Sequence, residues 1–322
     1  MTQPGEFTYV QQPPRNITYE QYLAEVSIVV AALFRVIAGI AIPYQALKLS
    51  RRDWINFLAQ TYPQVDAARR RVSSLSREFY DSERYKATGS VVMPELDNIT
   101  IEVPDGPDLV LRNDRFTEHV QQLNILLASY EPSWFEEAME PERAEFSEPN
   151  APDKSLAKVL SRAQKETENA GRNTVMRAVD SASPKVVRGW ARVEGTENIG
   201  SCGFCAMLIS RGPVYTDSPE YAGLNVDSNT RAVRIFEKAA STGDDSELMS
   251  LMNRWHPNCD CKVVPVFKGA TESWPGYEQY KALEALWGET TGEYTGRDKL
   301  NAFRRRLQRG DLPADIRRPR AA

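Results

Sequence analysis

The sequence has few of the residues that usually carry metal, redox or nucleophilic chemistry. Only four cysteines and two histidines occur among its 322 residues. The opening MTQPGEFTYV has neither a basic segment nor an apolar run, so we expect no signal peptide. A reducing compartment then disfavours disulfides and favours metal or redox chemistry for clustered cysteines. The net charge of −4 indicates no class of partner, and 41% hydrophobic residues exclude a wholly disordered chain.

Long apolar runs are also scarce. One run, VSIVVAALFRVIAGIAI at residues 26–42, has seventeen residues with Arg35 near its centre. A membrane-spanning helix needs about 20 apolar residues. A central arginine costs about 2.5–3.5 kcal/mol on insertion scales. We therefore predict a helix that is buried against protein, and no membrane contact.

The remaining pattern predicts a mainly α protein with a small zinc-stapled α+β C-terminal module. Capping signals at Thr18 and Ser50 start helices, and Pro43 ends or kinks the first of them. The acidic segment 131–152 is typical of a linker or an exposed amphipathic segment. The predicted division is a flexible arm at 1–17, a helical domain at 18–150 with a β-rich excursion at 88–112, a cysteine-bearing module at 151–270 and a helical basic tail at 271–322.

All four cysteines and one histidine lie in two short motifs. GSCGFC at 200–205 contains Cys202 and Cys205, and WHPNCDC at 255–261 contains His256, Cys259 and Cys261. Such a donor set suits a structural zinc ion held by four protein ligands. Five candidates compete for four positions, with His256 or Cys259 as the residue left over. A redox C-x2-C pair, disulfides and ordinary core thiols stay open as alternatives, although the βαβ context of a redox motif is not evident.

The same segment resembles a known family. GWARVEGTENIGSCGFCAMLISRGPVYT followed by RWHPNCDCKVVPVF resembles the C-terminal module of phage Mu F-like minor head proteins, which show C-x2-C and then H-P-x-C-x-C. The helical half, with RRDWINFLAQTYPQV, is similar to versions found in phages of actinobacteria. The resemblance implies a minor head protein that acts in procapsid assembly next to the portal. Its expected partners are the portal, the scaffold or the major capsid protein. It would be made in the host cytoplasm and then enter the virion head.

Relatives of this type are often labelled capsid maturation proteases, so proteolysis is the alternative function. A serine or cysteine protease generally needs a histidine base. Only His119 and His256 exist, and His256 belongs to the cysteine motif. Neither a G-x-S-x-G nor an H-E-x-x-H motif occurs, whereas a Ser-Lys dyad would leave almost no sequence signature. No catalytic residue is therefore predicted, and enzyme activity rests on the resemblance alone.

The basic tail offers a separate candidate site. In RDKLNAFRRRLQR, residues 297–309, four arginines lie near one end of a predicted helix: Arg304, Arg305, Arg306 and Arg309. They could contact the phosphates of packaged DNA without sequence specificity. They could equally contact a protein partner, or form a solvated helix end that the helix dipole favours.

Overall fold

The computed structural model of the chain is mainly helical. It describes residues 14–45, 50–89, 99–101, 109–111, 132–146, 152–180, 182, 185–195, 202–213, 235, 238–239, 241–242, 255, 259–294 and 297–311. His119 and His256 lie outside these residues.

Seven helices and four strands are considered below. The helices are α1 (Tyr19–Gln45), α2 (Arg51–Thr88), α3 (Pro132–Phe146), α4 (Pro152–Asp180), α5 (Gly203–Ile209), α6 (Tyr277–Thr291) and α7 (Arg297–Arg309). The strands are β1 (Ile99–Ile101), β2 (Leu109–Leu111), β3 (Val187–Val193) and β4 (Lys262–Phe267). Each sheet is an antiparallel pair, β1 with β2 and β3 with β4, and the first pair lies in the predicted β-rich excursion.

The first two helices begin where their caps predict. The backbone N–H of Gln21 donates to the Thr18 hydroxyl, and the Thr18 N–H donates to the Gln21 side chain. Ser50 and Asp53 form the same reciprocal capping box at the start of α2. Pro43 lies in the last turn of α1, so the predicted end of this helix is confirmed to within a few residues.

The long helices and the second sheet share a layered core. Helices α1, α2, α3 and α4 bury one apolar cluster that includes Trp54, Phe57 and Phe135. A second cluster joins α1 and α2 to the β3–β4 pair and to Trp274. The third cluster surrounds the cysteines and includes Trp190. The tail helix α7 contributes to this third cluster through its apolar side.

The acidic segment 131–152 is more ordered than its composition predicts. The prediction of a linker or exposed segment is wrong for α3, because Phe135 and Met139 are buried against Val159 of α4. Their i, i+4 spacing places both side chains on one face. On the same helix, the Glu142 carboxylate accepts a hydrogen bond of 3.0 Å from Arg162.

Helix α1 has one buried face and one exposed face. Leu23, Val26 and Leu33 are buried, whereas Ile28 is 66% exposed. Among the described residues, the helix at Tyr19–Tyr44 is long and apolar enough to cross a membrane by length and composition alone, and 28% of its most apolar window is buried. A helix inside a soluble core and a signal sequence pass the same test. The absence of membrane contact stays a prediction.

Gly171 of α4 packs directly against side chains of α2, and this leads to a prediction. A Cβ atom at Gly171 would overlap with Ser76 Oγ and lie 2.9 Å from Val72 Cγ1. We expect Gly171→Ala to lower the free energy of unfolding by about 1–3 kcal/mol, since overpacking outweighs the gain in helix propensity. Gly288→Ala is the matched control in α6, where a new Cβ meets nothing within 4 Å. The free energy of unfolding of that variant should rise by about 0.5–1 kcal/mol.

Urea denaturation of the Gly171→Ala and Gly288→Ala variants checks the opposite signs of the two effects. Equal changes in the free energy of unfolding would contradict the prediction.

Candidate metal centre

The cysteines converge because two local structures meet on the β3–β4 pair. Cys202 is the N-cap of α5 and Cys205 lies in its first turn, so the predicted C-x2-C motif is a helix start. Residues three apart in a helix share a face. Cys259 and Cys261 lie immediately before β4, which pairs with β3. The pairing brings the end of the second motif beside the helix that carries the first.

Three of the four thiols form a compact group. The sulfur atoms of Cys205, Cys259 and Cys261 all lie within 4.8 Å of one another. All three residues are buried, and the Cys205 and Cys259 sulfurs are 3.6 Å apart. Cys202 is half-buried and its side chain is hydrogen-bonded with that of Cys205. None of the four forms a disulfide.

The spacing of the sulfurs fits a tetrahedral metal ion. Zinc–sulfur bonds of about 2.3 Å place two thiolates of a tetrahedron about 3.8 Å apart. The distance of 3.6 Å between Cys205 and Cys259 is close to that value. Thiolates are soft donors that suit zinc. Three buried cysteines close together could therefore bind a metal, and Cys202 is next to them.

Two buried arginines lie next to the thiols. Arg192 of β3 donates from Nη2 to Cys259 Sγ at 3.6 Å. Both Arg192 and Arg172 of α4 place their guanidinium groups against the ring of Trp255, at 3.8 and 4.4 Å from its centroid. A cation over an indole face is stabilised by the ring quadrupole. Positive charge is thus held beside the sulfurs inside the protein.

This charge and the hydrogen bonds among the thiols change their acidities. Hydrogen bonds with Cys205 and Cys261 lower the pKa of the Cys259 thiol, and the arginine charges add to this effect. Hydrogen bonds with its neighbours raise the pKa of Cys205. Burial lowers the pKa of Arg192, but the negative charge of neighbouring thiolates and the hydrogen bond to Cys259 outweigh burial, so the net pKa lies above its ordinary value. The site therefore favours a thiolate at Cys259 beside a charged guanidinium.

Arg172 also holds the backbone of the second motif. Its Nη2 donates to the Cys259 carbonyl at 2.8 Å, and its Nε donates to the Cys261 carbonyl at 2.9 Å. The Glu168 carboxylate accepts from Arg172 at 2.6 Å and from Lys262 at 2.8 Å. Lys262 Nζ donates in turn to the Asp260 carbonyl at 2.8 Å. One buried network therefore fixes both sulfur-bearing residues of this loop relative to α4.

Sequence reasoning missed this network. Glu168 and Arg172 are spaced i, i+4 in a helical segment, which is a common pattern on solvated faces. Arg192 stands in GWARV among apolar residues of β3, and this position inside an apolar run was the available signal. The contacts join residues 87–89 positions apart in the chain, so no local pattern reports them.

The four tail arginines have different surroundings in α7. Arg304 lies against Gly203, where a Cβ atom would overlap with its side chain. Arg306 forms ion pairs with Glu289 and Asp311, and Arg309 pairs with Asp311 at 3.4 Å. Arg305 is exposed. The structure thus places one of them against the cysteine module, and DNA contact stays a prediction for the group.

Comparison with known proteins now gives the family. A family described as VG15 protein matches residues 125–289, more than half of the chain. The Gene 15 protein of Mycobacterium phage D29 is 31% identical over 281 residues, which cover 82% of this chain and 89% of that relative. The chain belongs to the VG15 protein family.

A second relative of this VG15 protein extends the similarity along nearly the whole chain. The Gene 15 protein of Mycobacterium phage L5 is 29% identical over 323 aligned positions, which cover 92% of this chain and 97% of that relative. No solved structure matches. The relatives confirm a phage protein, which is made inside the host cell. The matched region includes the cysteine motifs and most of α6.

Proposed function

We propose that this VG15 protein acts in assembly of the phage head and that a structural zinc ion stabilises its C-terminal module. The observation that carries the metal proposal is the convergence of three buried thiols beside Cys202. A buried site closed by protein ligands is typical of structural zinc, whereas catalytic zinc keeps an open position. Bound zinc would tie the start of α5 to the loop before β4.

The four cysteines are the proposed ligands. Cys205, Cys259 and Cys261 are mutual neighbours, so Cys259 belongs among the ligands, and Cys202 completes the set through its contact with Cys205. Zinc with four thiolates carries a double negative charge, which is costly to bury without compensation. Arg172, Arg192 and Lys262 bring three positive charges next to it and Glu168 brings one negative charge, which leaves a net of two positive charges. This charge match supports four thiolates over three thiolates and His256.

Head assembly is supported by two observations of different kinds. The chain belongs to a phage family, and its two cysteine motifs resemble those of Mu F-like minor head proteins. A metal-stapled module without an open ligand position suits a binding role. The proposed partners are the portal, the scaffold or the major capsid protein, and the proposed destination is the virion head. Capsid maturation protease is the alternative, which rests on the resemblance.

Co-expression with portal, scaffold and major capsid protein separates the two functions. We expect the chain to sediment with procapsids and to leave scaffold and capsid chains uncut. His119→Ala should not change these results, because an assembly role needs no histidine base. Gel electrophoresis and mass spectrometry of the sedimented particles check both points. Fragments of scaffold or capsid that appear only with this chain, and vanish in a serine or histidine variant that still enters particles, would establish the protease instead.

A further inference from the structure

The first turn of α5 carries two of the proposed metal ligands but has little stability of its own. Cys202 is the N-cap of this helix, and Cys205 lies three residues later. The helix has seven residues, and isolated helices shorter than about 12–15 residues are marginal in water. Within the described residues, the Cys202 side chain makes no capping hydrogen bond with the backbone of α5. Contacts from other elements must therefore keep this turn in place.

Gly203, which follows Cys202, shows which residue supplies such a contact. Its backbone is helical, a conformation that alanine adopts more readily than glycine does. Conformational freedom therefore does not explain this glycine. A Cβ atom at Gly203 would overlap with Arg304 Cγ, and it would lie 3.1 and 3.2 Å from Arg304 Nε and Cδ. The aliphatic part of the Arg304 side chain thus packs directly across the start of α5.

Helix α7 fixes the place of Arg304. Its apolar face lies in the cluster that contains the cysteines, with three buried side chains: Leu300, Phe303 and Leu307. The Trp287 ring of α6 meets the Phe303 ring edge-on, with 5.0 Å between their centroids. Because α7 is anchored on this side, the Arg304 side chain reaches Gly203 from a fixed position.

We infer that Arg304 is a positioning residue for the metal centre, and that its aliphatic stem keeps Cys202 in place as a ligand. Arginine side chains can bury their methylene groups while the charged end stays near water. Cys202 is half-buried, whereas the other three thiols are buried, so detachment of Cys202 is the step that opens the centre to solvent. The contact with Arg304 opposes this step, because it opposes fraying of the first turn of α5. This inference rests on the proposed zinc site.

Release of zinc from the full-length protein to an excess of a chromogenic chelator tests the inference. We expect Arg304→Ala to release zinc about tenfold faster than the wild-type chain, because loss of packing makes local opening of this turn easier. Arg304→Met keeps an aliphatic stem without the charge, and its rate should stay within about threefold of the wild-type rate. Arg305→Ala is the matched control at an exposed position of the same helix. It should change the rate by about twofold or less.

A double-mutant cycle identifies the contact itself. Gly203→Ala alone should accelerate zinc release about tenfold or more, because the new methyl group overlaps with the Arg304 stem. In the Arg304→Ala background the same change meets no such stem, so it should alter the rate by about threefold or less. Effects of the two substitutions that simply multiply would overturn the inference, since they would show that Gly203 and Arg304 act independently.

Hydrogen exchange of the Ala206 amide separates failure of this inference from failure of the zinc proposal. This amide donates to the Cys202 carbonyl at 2.9 Å, so its exchange reports fraying of the first turn in the protein as purified. Arg304→Ala should speed this exchange, whereas Arg305→Ala should not, and the amides of β4 should keep their protection in both variants.

The possible outcomes are distinct. A purified wild-type chain without zinc would refute the metal proposal, and Ala206 exchange would then decide whether Arg304 keeps Cys202 in place. Equal Ala206 exchange in the Arg304→Ala and Arg305→Ala variants would overturn the inference. A loss of protection in β4 as large as that at Ala206 would also overturn it, because the whole module would then be opening and not the first turn of α5.

Discussion

Cys261→Ser is expected to abolish stoichiometric zinc binding and to unfold the C-terminal module while α1 and α2 stay folded. Structural zinc sites contribute on the order of 10–16 kcal/mol of apparent binding free energy in zinc-finger peptides. Such a contribution is comparable with the whole stability of a domain, about 5–15 kcal/mol. The substitution removes one of the three central sulfurs, and the serine hydroxyl that replaces it is a poor zinc ligand. Elemental analysis should show about one zinc per wild-type chain and none in the variant.

Hydrogen exchange shows where the variant unfolds. Amides of α5, β3 and β4 should lose protection, whereas those of α2 should keep it, because its apolar cluster around Trp54 and Phe57 is independent of the sulfurs. Met207→Leu is the matched control, since Met207 is equally buried in α5 but is not a ligand. This volume-conserving change should cost less than about 1.5 kcal/mol and keep the zinc. Zinc retained at full stoichiometry by Cys261→Ser, or thiols that titrate freely in the folded wild-type protein, would contradict the proposed centre.

Arg172→Met is expected to lower the free energy of unfolding by about 3–5 kcal/mol, the cost of breaking a buried ion pair from one side. The variant leaves the buried Glu168 carboxylate with Lys262 as its remaining cation. It also deprives the Cys259 and Cys261 carbonyls of their donor. Arg70→Met is the matched control, because Arg70 is exposed and pairs with Asp66 in an i, i+4 arrangement. That control should change stability by about 0.5 kcal/mol or less. Equal losses in the two variants, measured by urea denaturation, would show that the Arg172 network adds little.

The pH dependence of stability gives a second measure of the same network. Burial raises the pKa of Glu168, but Lys262 and Arg172 outweigh burial, and its net pKa in the folded chain lies below its ordinary value. A carboxyl of this kind stabilises the fold above its unfolded pKa, and that stability is lost as the pH falls through the folded pKa. Removal of Arg172 should therefore weaken the acid-dependent part of the stability curve. The effect appears as a smaller slope of unfolding free energy against pH on the acid side.

Several features of the fold were predictable because they depend on neighbours in the chain. The capping boxes at Thr18 and Ser50 each need only residues three positions apart. The strands around the cysteines and the long helix α4 follow from local patterns of apolar residues. The candidate ligands were likewise evident from two short motifs. For these features, local hydrogen bonds and helical or strand periodicity decide the result.

Other features depend on contacts between distant parts of the chain. The buried face of α3 exists because Val159 of α4 packs against it, and the composition of the segment alone favoured a linker. The place of Cys259 among the central sulfurs follows from its 3.6 Å approach to Cys205, 54 residues earlier.

The sequence by itself determined the mainly helical class, the helix starts and the residues able to hold a metal, because spacing and residue type carry that information. The tertiary structure alone decided which thiols meet, and that Arg172, Arg192 and Trp255 surround them. The physical reason is burial. From the sequence, a charged or aromatic side chain could equally lie on a solvated face or beside a thiolate. The packing of α4 and β3 around the loop before β4 decides that Arg172, Arg192 and Trp255 lie beside the thiols.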